Sequence, residues 1–209
     1  FLTTIRNNLD RMTTIVSDLN DITRIETGRM LFDTRPFDFQ LVVDEVLHDT
    51  RGLIEAKEQQ LTLSVEPGLG PVLADQNRAV QVLTNLVSNA NKYTPEKGEI
   101  SLRIQRTPDG TQLHIAVQDS GIGISIEDQR RLFTKFFRSE DYRTRATGGT
   151  GLGLYLCMEL AQRLNGNIWC ESELNKGSIF FLELPPASRL SRDQREVVKA
   201  EVANLVEGI

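Results

Sequence analysis

The chain has 209 residues, of which 39% are hydrophobic and 25% are charged, with a formal net charge of −5 and a pI near 5.2. This length supports one sizeable core plus an appendage, and the composition is typical of a globular protein. The acidic balance argues against a nucleic-acid partner, and no apolar run approaches the roughly 20 residues that cross a bilayer.

The first residues continue a helical pattern without a leader sequence, so we expect the chain to be a piece of a longer protein. Cys157 and Cys170 lack the spacing of metal ligands and stand among apolar residues, which predicts reduced thiols in a core. Such cysteines favour a cytoplasmic location, with any membrane anchor confined to upstream parts of the parent protein.

The pattern of residues 1–30 predicts one long helix of a helical bundle. Gly28 ends a segment that has no proline and no earlier glycine. Its apolar residues follow the three-and-four spacing of a bundle seam: Leu2, Ile5, Leu9, Met12, Val16 and Leu19. Ile15 and Ile22 widen this stripe towards a four-helix arrangement. The stripe needs a partner, so we expect a homodimer through such helices.

Residues 36–186 predict an α+β fold, a two-layer α/β sandwich. A short edge strand near Pro36 precedes a helix from about Leu41 to Glu58, the strand "LTLSVE" and the turn "EPGLGP". Asp75 is a candidate cap for a helix that runs to about Asn91. The hairpin "EISLRIQR"–"TPDG"–"TQLHIAVQ" follows, then a glycine loop, a helix to about Leu164, and the strands "NIWCESE" and "SIFFLELP".

Residues 187–209 form a separate tail in this interpretation. Ser191 and Gln194 fit a capping box. The following apolar residues share one helix face: Val198, Val202, Leu205, Val206 and Ile209. We favour a helix packed on its own domain over a linker to another domain.

The helix that begins after Asp75 carries a polar row opposite its apolar residues. Asn85, Asn89 and Lys92 follow i, i+4 and i+7 and therefore line one face. Amide oxygens suit a Mg²⁺ ion that also binds substrate phosphates, and a lysine adds a point charge for a phosphate oxygen. For this helix alone, an ordinary solvated face is the simpler interpretation.

Three further stretches carry candidate chemistry. In "VQDSGIGIS", Asp119 ends a strand and precedes Gly121 and Gly123, which fits either an adenine-binding carboxylate or a simple turn. The aromatic stretch "RLFTKFFRSE" fits either a mobile lid or an anchored short helix. "GGTGLGLYL" reads G-x-G-x-G, which matches neither the dinucleotide fingerprint nor the Walker loop, although glycines before a helix still favour phosphate binding.

The order of these stretches resembles the N, G1, F and G2 boxes of the sensor histidine kinases: "NLVSNANKYTP", "DSGIGIS", "LFTKFF" and "GGTGLGL". The resemblance covers about Pro36 to Pro185, and "DLNDITRIETGRM" is similar to the end of the second helix of the family's dimerisation bundle. It implies the family's ATPase-like sandwich preceded by one bundle helix.

The resemblance also implies roles for individual residues. Asn89 would ligate Mg²⁺, Asn85 would support the phosphate and metal site, Lys92 would meet phosphate, and Tyr93 would lie against the nucleoside. Asp119 would accept the adenine amino group, with Gly121 and Gly123 admitting the base. The loop would close over the triphosphate of ATP. The implied nucleotide contacts beyond these are Ile124, Phe133, Arg138, Gly149, Thr150, Gly151, Leu152, Gly153 and Leu154.

The implied reaction is transfer of the γ-phosphoryl group of ATP to a histidine, for relay to a response regulator receiver domain. Related ATPases of this fold carry glutamate at the position of Asn85, and asparagine cannot act as a general base, which disfavours a plain ATPase. His48 in "HDTR" mimics the acceptor motif in the wrong context, and His114 fits a sheet residue, so we expect the acceptor upstream. A transfer-inactive regulatory module and a serine/threonine kinase of the same fold remain as alternatives.

Overall fold

A computed structural model describes residues 2–141, 143 and 149–187. Within them the helices are α1 (Leu2–Glu26), α2 (Phe39–Ala56), α3 (Gln76–Tyr93), α4 (Ile126–Gln129) and α5 (Gly153–Arg163). The strands are β1 (Arg35–Phe37), β2 (Gln60–Val65), β3 (Val72–Ala74), β4 (Glu99–Arg106), β5 (Leu113–Asp119), β6 (Asn167–Glu173) and β7 (Gly177–Leu184). The predicted tail, residues 188–209, lies outside the described residues.

The predicted two-layer sandwich is confirmed. Five strands form one sheet in the order β2-β4-β5-β7-β6, in which β2 and β4 are parallel and the other pairs antiparallel. A second, two-stranded sheet joins β1 to β3. Strand β3 was not expected. It has only three residues after the glycine- and proline-rich turn, which are too few to show the alternation of apolar and polar residues that marks a strand.

Helices α2, α3 and α5 form the second layer. Successive side chains of a strand point to opposite faces of the sheet, and one of these faces packs against the helices. Ile104, Ile115 and Leu182 on this face are at most 1% exposed. Helix α2 begins at Phe39, two residues before the expected start, because the Asp38 side chain accepts a hydrogen bond from the Gln40 N–H. The expected cap of α3 is confirmed, since Asp75 accepts from the Arg78 N–H.

Helix α1 packs against α5 with its C-terminal part and leaves the predicted seam in solvent. Ile22 and Ile25 are buried in the common core. Five seam residues are exposed: Ile5, Leu9, Met12, Val16 and Leu19. In the part of the chain that the structure describes, none of the helices has the length and apolar character that a bilayer crossing requires.

Candidate nucleotide-binding site

A cavity of about 780 Å³ opens between α3, the end of β5, the segment after α4 and the glycine loop before α5. Most of the predicted site residues line it: Asn85, Asn89, Lys92, Tyr93, Asp119, Gly123, Ile124, Arg138, Gly149, Thr150, Gly151, Gly153 and Leu154. Gly121, Phe133 and Leu152 do not. Residues that are far apart in sequence therefore meet in a single space of a size that suits a nucleotide.

A buried carboxylate at the end of β5 lines the cavity. Asp119 is 6% exposed, and its Oδ1 accepts a hydrogen bond from the Gly121 N–H at 2.8 Å. Burial raises the pKa of Asp119 from 3.8 to about 6, against the opposing effect of backbone hydrogen bonds from Gly121 and Ser178. A carboxylate in this environment gains from a ligand that donates a hydrogen bond to it.

Apolar side chains form part of the same cavity wall. They include Ile122, Leu132, Phe137, Leu174 and Phe180. Phe137 takes the place that we expected for Phe133, which instead packs against the core. The sequence did not predict a role for Leu174 and Phe180, because they come from the β6–β7 hairpin, more than 50 positions after Asp119.

The two glycines after Asp119 serve packing. A Cβ on Gly121 would lie 2.6 Å from both Asp119 Oδ1 and the Tyr93 carbonyl oxygen. A Cβ on Gly123, whose φ is +65°, would lie 2.0 Å from the Glu173 carbonyl oxygen. Both glycines therefore allow the loop after β5 to fit against neighbouring backbone, which fixes Asp119 at the end of its strand.

The predicted amide row is present on α3. Asn89 Nδ2 donates to Asn85 Oδ1 at 2.9 Å, and both side chains face the cavity. This bond orients the Asn89 amide, so that its oxygen is left to accept or to ligate. One turn further, Lys92 Nζ lies 3.1 Å from the Tyr93 hydroxyl and 4.7 Å from the centre of the Tyr93 ring.

Two side chains from the connection between α2 and β2 hold the C-terminus of α3. Lys57 Nζ donates to the carbonyl oxygens of Asn91, Lys92 and Thr94, and Gln59 Nε2 donates to those of Asn91 and Thr94. These bonds satisfy carbonyl groups that the helix itself leaves without partners. The row of Asn85, Asn89 and Lys92 is thereby attached to a fixed helix end.

The glycine loop lies against this row. A Cβ on Gly153 would lie 2.4 Å from Asn85 Nδ2, and one on Gly149 would lie 2.9 Å from Lys92 Nζ. Gly151 has a φ of +73°, and its Cβ would approach the backbone of Phe136 at 2.8 Å. Close contact between the loop, α3 and the aromatic segment thus requires glycine.

Turns and bends occupy residues 131–136 of the aromatic segment, which comprises residues 131–140, so the short-helix alternative is not found there. Phe136 has a φ of +60°, and its side chain is 64% exposed. Lys135 forms an ion pair with Glu26 of α1 and lies over the Tyr155 ring. The segment is therefore anchored to both α1 and α5, and its backbone forms turn hydrogen bonds from the Thr134 N–H to the Arg131 carbonyl and from the Phe137 N–H to the Thr134 carbonyl.

Helix α1 contributes Thr14 and Asp18 to the wall of the cavity. No feature of the sequence indicated this contribution, because both residues lie outside the four boxes and belong to the predicted bundle helix. Asp18 Oδ2 accepts a hydrogen bond from the Thr150 hydroxyl at 3.4 Å. The helix thus reaches the glycine loop directly.

Neither histidine of the chain lines the cavity. His48 is exposed on α2. His114 lies on the outer face of the sheet, 3.2 Å from a Glu183 carboxylate oxygen and packed against Trp169 and Phe181. Both cysteines are free thiols, and burial raises their pKa values, that of Cys170 to about 12.

Comparison with known proteins agrees with this geometry. Residues 74–188 match the family described as histidine kinase-, DNA gyrase B- and HSP90-like ATPases. The chain is 36% identical to the sensor-like histidine kinase SenX3 of Mycolicibacterium smegmatis over 189 residues, which cover 89% of the chain and 48% of that relative. It spans a smaller share of other sensor kinases that it resembles.

Two solved structures share the fold over most of the chain. Full-length ShkA in complex with AMPPNP has a TM-score of 0.75 and 27% identity, covering 88% of this chain and 37% of that one. Histidine kinase ThkA in complex with the response regulator protein TrrA has a TM-score of 0.70 and 26% identity, covering 90% and 51%. The chain therefore belongs to the histidine kinase-, DNA gyrase B- and HSP90-like ATPase family and carries the ATP-binding catalytic domain of the sensor histidine kinases.

Proposed function

We propose that this chain binds Mg-ATP and transfers the γ-phosphoryl group to a histidine that lies outside the chain, for relay to a response regulator. The observation that carries the proposal is the single cavity that joins Asp119 to the row of Asn85, Asn89 and Lys92. We call the region of Asp119 the adenine end and the region of the amide row and glycine loop the phosphate end.

At the adenine end, the exocyclic amine of the base would donate to Asp119. Burial already makes the ionised carboxylate costly there, so a donor in this position gives a large gain in binding. The apolar walls, including Ile124, Phe137 and Phe180, would lie against the faces of the base. A guanine carries a carbonyl oxygen where adenine carries its amine, and two acceptors would then oppose each other.

At the phosphate end, the residues present fit a triphosphate and its magnesium ion. The Asn89 oxygen would ligate the metal, and Lys92 would neutralise phosphate charge. Backbone donors of residues 149–153 and the N-terminus of α5 favour an anion at the same place. A bound magnesium ion would supply further charge neutralisation for the transferred group.

The chemistry at this end favours transfer over hydrolysis. An asparagine amide cannot remove a proton from water, and Asn85 Oδ1 is already engaged by Asn89. Phosphoryl transfer depends mainly on positioning and on charge neutralisation, so the protein needs no nucleophile of its own. An imidazole nitrogen of the acceptor would form the new bond to phosphorus as the bond to the ADP oxygen breaks.

Two kinds of partner follow from this proposal. The exposed seam of α1 has the spacing of a bundle helix, so we propose a homodimer through this helix, in which a neighbouring helix carries the acceptor histidine. A receiver domain of a response regulator would then take the phosphoryl group, as the complex of ThkA with TrrA suggests by analogy. Since both ATP and such regulators are cytoplasmic, we place the domain in the cytoplasm.

The test uses the 209-residue chain together with a longer chain that contains the upstream helix. Calorimetry should show Mg-ATP binding to both, and radiolabelled ATP should give acid-labile label only on the longer chain. Binding without transfer to the added helix would favour a transfer-inactive regulatory module. Acid-stable label on a serine or threonine of a partner would instead identify a serine/threonine kinase.

A further inference from the structure

The carboxylate of Asp18, on α1, forms part of the cavity wall. Under the proposed function, this cavity receives the triphosphate. Asp18 and Thr14 lie one turn apart on this helix, and both line the cavity together with Asn89, Lys92 and Thr150. Asp18 Oδ2 accepts the hydrogen bond of the Thr150 hydroxyl at 3.4 Å. The cavity thus holds an acidic side chain at the end where its other features favour an anionic ligand.

The contact with Thr150 reaches the centre of the glycine loop. The Thr150 hydroxyl oxygen also accepts from the Leu152 N–H at 3.1 Å, at the residue that precedes α5. Asp18 therefore accepts the hydroxyl hydrogen bond of a residue that organises the N-terminus of this helix. A phosphate oxygen that approached the loop would require the same kind of donor.

The environment of Asp18 makes its charge costly. Burial raises the pKa of this carboxyl, and repulsion by Asp21 adds to the increase, while the Thr150 hydrogen bond opposes it. A partly desolvated charge acts more strongly on other charges nearby than an exposed one does. The repulsion between Asp18 and a triphosphate would therefore be screened less by salt than that of a surface carboxylate.

Other contacts hold α1 in this position. Asp21 accepts a hydrogen bond from Gln81 at 2.9 Å and pairs with Arg78 at 3.5 Å, both on α3. Glu26 pairs with Lys135 and accepts from the Tyr155 hydroxyl at 3.1 Å. These contacts connect α1 to three elements of the nucleotide domain, namely α3, the aromatic segment and α5.

We propose that Asp18 is an internal competitor of the triphosphate, so that Mg-ATP binding and the docking of α1 at the cavity oppose each other. This inference rests on the proposed function and concerns the regulation of the same site. In the docked arrangement, Asp18 holds the Thr150 hydroxyl and repels phosphate. Nucleotide binding displaces the carboxylate and loosens the helix. By linkage, docking weakens ATP by the same factor by which ATP weakens docking.

The first experiment measures ligand affinity by calorimetry in Asp18→Asn, with Asp44→Asn as the matched control. Asp44 is an exposed residue of α2 away from the cavity, so that both variants lose one negative charge. We expect Asp18→Asn to bind Mg-ATP at least about threefold more tightly, since removal of one nearby like charge is enough for this change. Adenosine, which lacks phosphate, should bind both variants and the unchanged chain equally.

Each other outcome overturns a defined statement. If the unchanged chain does not bind Mg-ATP, the proposed function fails and the inference fails with it. If the chain binds Mg-ATP but Asp18→Asn binds it no more tightly, the inference alone fails. An equal gain in Asp44→Asn would assign the effect to net charge and would also overturn the inference. Asp18→Ser serves as the second variant if the amide disturbs folding.

The second experiment measures amide hydrogen exchange in residues 14–26 of the unchanged chain. Saturating Mg-ATP should increase exchange in this part of α1, whereas saturating adenosine should not. The Asp18→Asn variant should show a smaller increase, because the nucleotide no longer displaces a charge. Protection of residues 14–26 by Mg-ATP would mean that α1 closes over the nucleotide, which contradicts competition.

Discussion

The adenine end and the phosphate end of the cavity are built in different ways. Asp119 is 6% exposed at the end of a central strand, and backbone groups surround it. Asn85 and Asn89 are half-buried, and α3 meets the glycine loop with the ends of the Asn85 and Lys92 side chains. The base pocket is therefore part of the core, whereas at the phosphate end the glycine loop meets α3 through side-chain ends, which can rotate away at a lower energetic cost.

This difference separates stability from activity at the two ends. A substitution at the adenine end should alter both the free energy of unfolding and binding, because it changes the core. A substitution at the phosphate end should alter the reaction while the fold stays intact. The following predictions test this separation, from the largest expected effect to the smallest.

The largest effect is expected for Asn89→Ala. Removal of the only amide oxygen that we assign to the metal should reduce phosphoryl transfer by more than about 100-fold, a loss typical of removing one group that stabilises transferred charge. The free energy of unfolding should change by less than about 1 kcal/mol, because the side chain makes one polar contact at the surface of the cavity. Transfer assays and denaturant titrations measure the two quantities.

The control for Asn89→Ala is Thr84→Ala, on the same helix and outside the cavity lining. It should leave transfer unchanged. Normal transfer in Asn89→Ala would remove this residue from the site, and an unfolded variant would contradict its assignment to the polar face of α3.

A pair of glycine substitutions compares the two ends directly. Gly123→Ala should lower the free energy of unfolding by about 2–4 kcal/mol, because its Cβ would meet backbone at 2.0 Å with a φ of +65°. Gly153→Ala should leave stability nearly unchanged, since its Cβ meets only the Asn85 amide and alanine is the better helix former. The displaced amide should nevertheless reduce transfer.

Thermal unfolding and transfer assays of both glycine variants decide the outcome. The predicted separation of stability effects at the adenine end from activity effects at the phosphate end is contradicted if Gly153→Ala is the less stable variant. It is also contradicted if Gly123→Ala is as stable as the unchanged chain.

Asp119→Asn should have opposite effects on binding and stability. Loss of the hydrogen bond to the adenine amine should weaken ATP by about 1–3 kcal/mol, with a smaller effect on GTP. Burial raises the pKa of Asp119 from 3.8 to about 6, so the ionised carboxylate opposes folding, and this cost is fully present above pH 6. The amide of Asp119→Asn should therefore stabilise the unliganded chain by about 1–3 kcal/mol at pH 7.5. Calorimetry with both nucleotides and thermal unfolding test the two signs.

The pH dependence of adenosine binding should follow the same carboxyl. Ionised Asp119 accepts from the base, and protonation near pH 6 leaves a neutral carboxyl, which is a weaker acceptor. Affinity should therefore fall about threefold between pH 7.5 and pH 5.5. Adenosine avoids the titration of the ATP phosphates in this range. Asp119→Asn is the control and should show no such decline. A flat profile in the unchanged chain would separate adenosine binding from this group.

Much of the fold could be predicted because its elements follow clear periodicities. The strands at Glu99–Arg106 and Leu113–Asp119 alternate strictly, and the helix after Asp75 has both a cap and an apolar face. Strand β3 was missed because three residues carry too little pattern. Of the two interpretations of the aromatic stretch, the short helix is not found, because contacts with α1 and α5 that sequence spacing does not encode fix its residues.

The site was predictable where one element supplies several of its residues. Asn85, Asn89 and Lys92 repeat along one helix, and the glycines repeat along one loop. Phe180 and Asp18 could not be found in this way, since each reaches the cavity from a distant part of the chain through tertiary packing alone. We predicted Phe133 as a nucleotide contact, but Phe137 lines the cavity. Turns orient the side chains of this segment, and turns have no regular period from which their directions could be predicted.

The smallest effect is expected at neither end of the cavity, for His48→Gln. His48 is exposed on α2, a helix that contributes no residue to the cavity lining and whose opposite face is buried in the core. Because α2 must stay packed to complete the sandwich, this histidine cannot reach a γ-phosphate at the phosphate end. The substitution should change the free energy of unfolding by less than about 0.5 kcal/mol and should leave transfer to an added bundle helix unchanged. His114→Gln is a useful comparison, since it removes the contact with Glu183 and should lower stability without affecting transfer. Acid-labile label on His48 of the unchanged chain, lost in His48→Gln, would show that α2 leaves its place in the fold and would move the acceptor into the nucleotide domain itself.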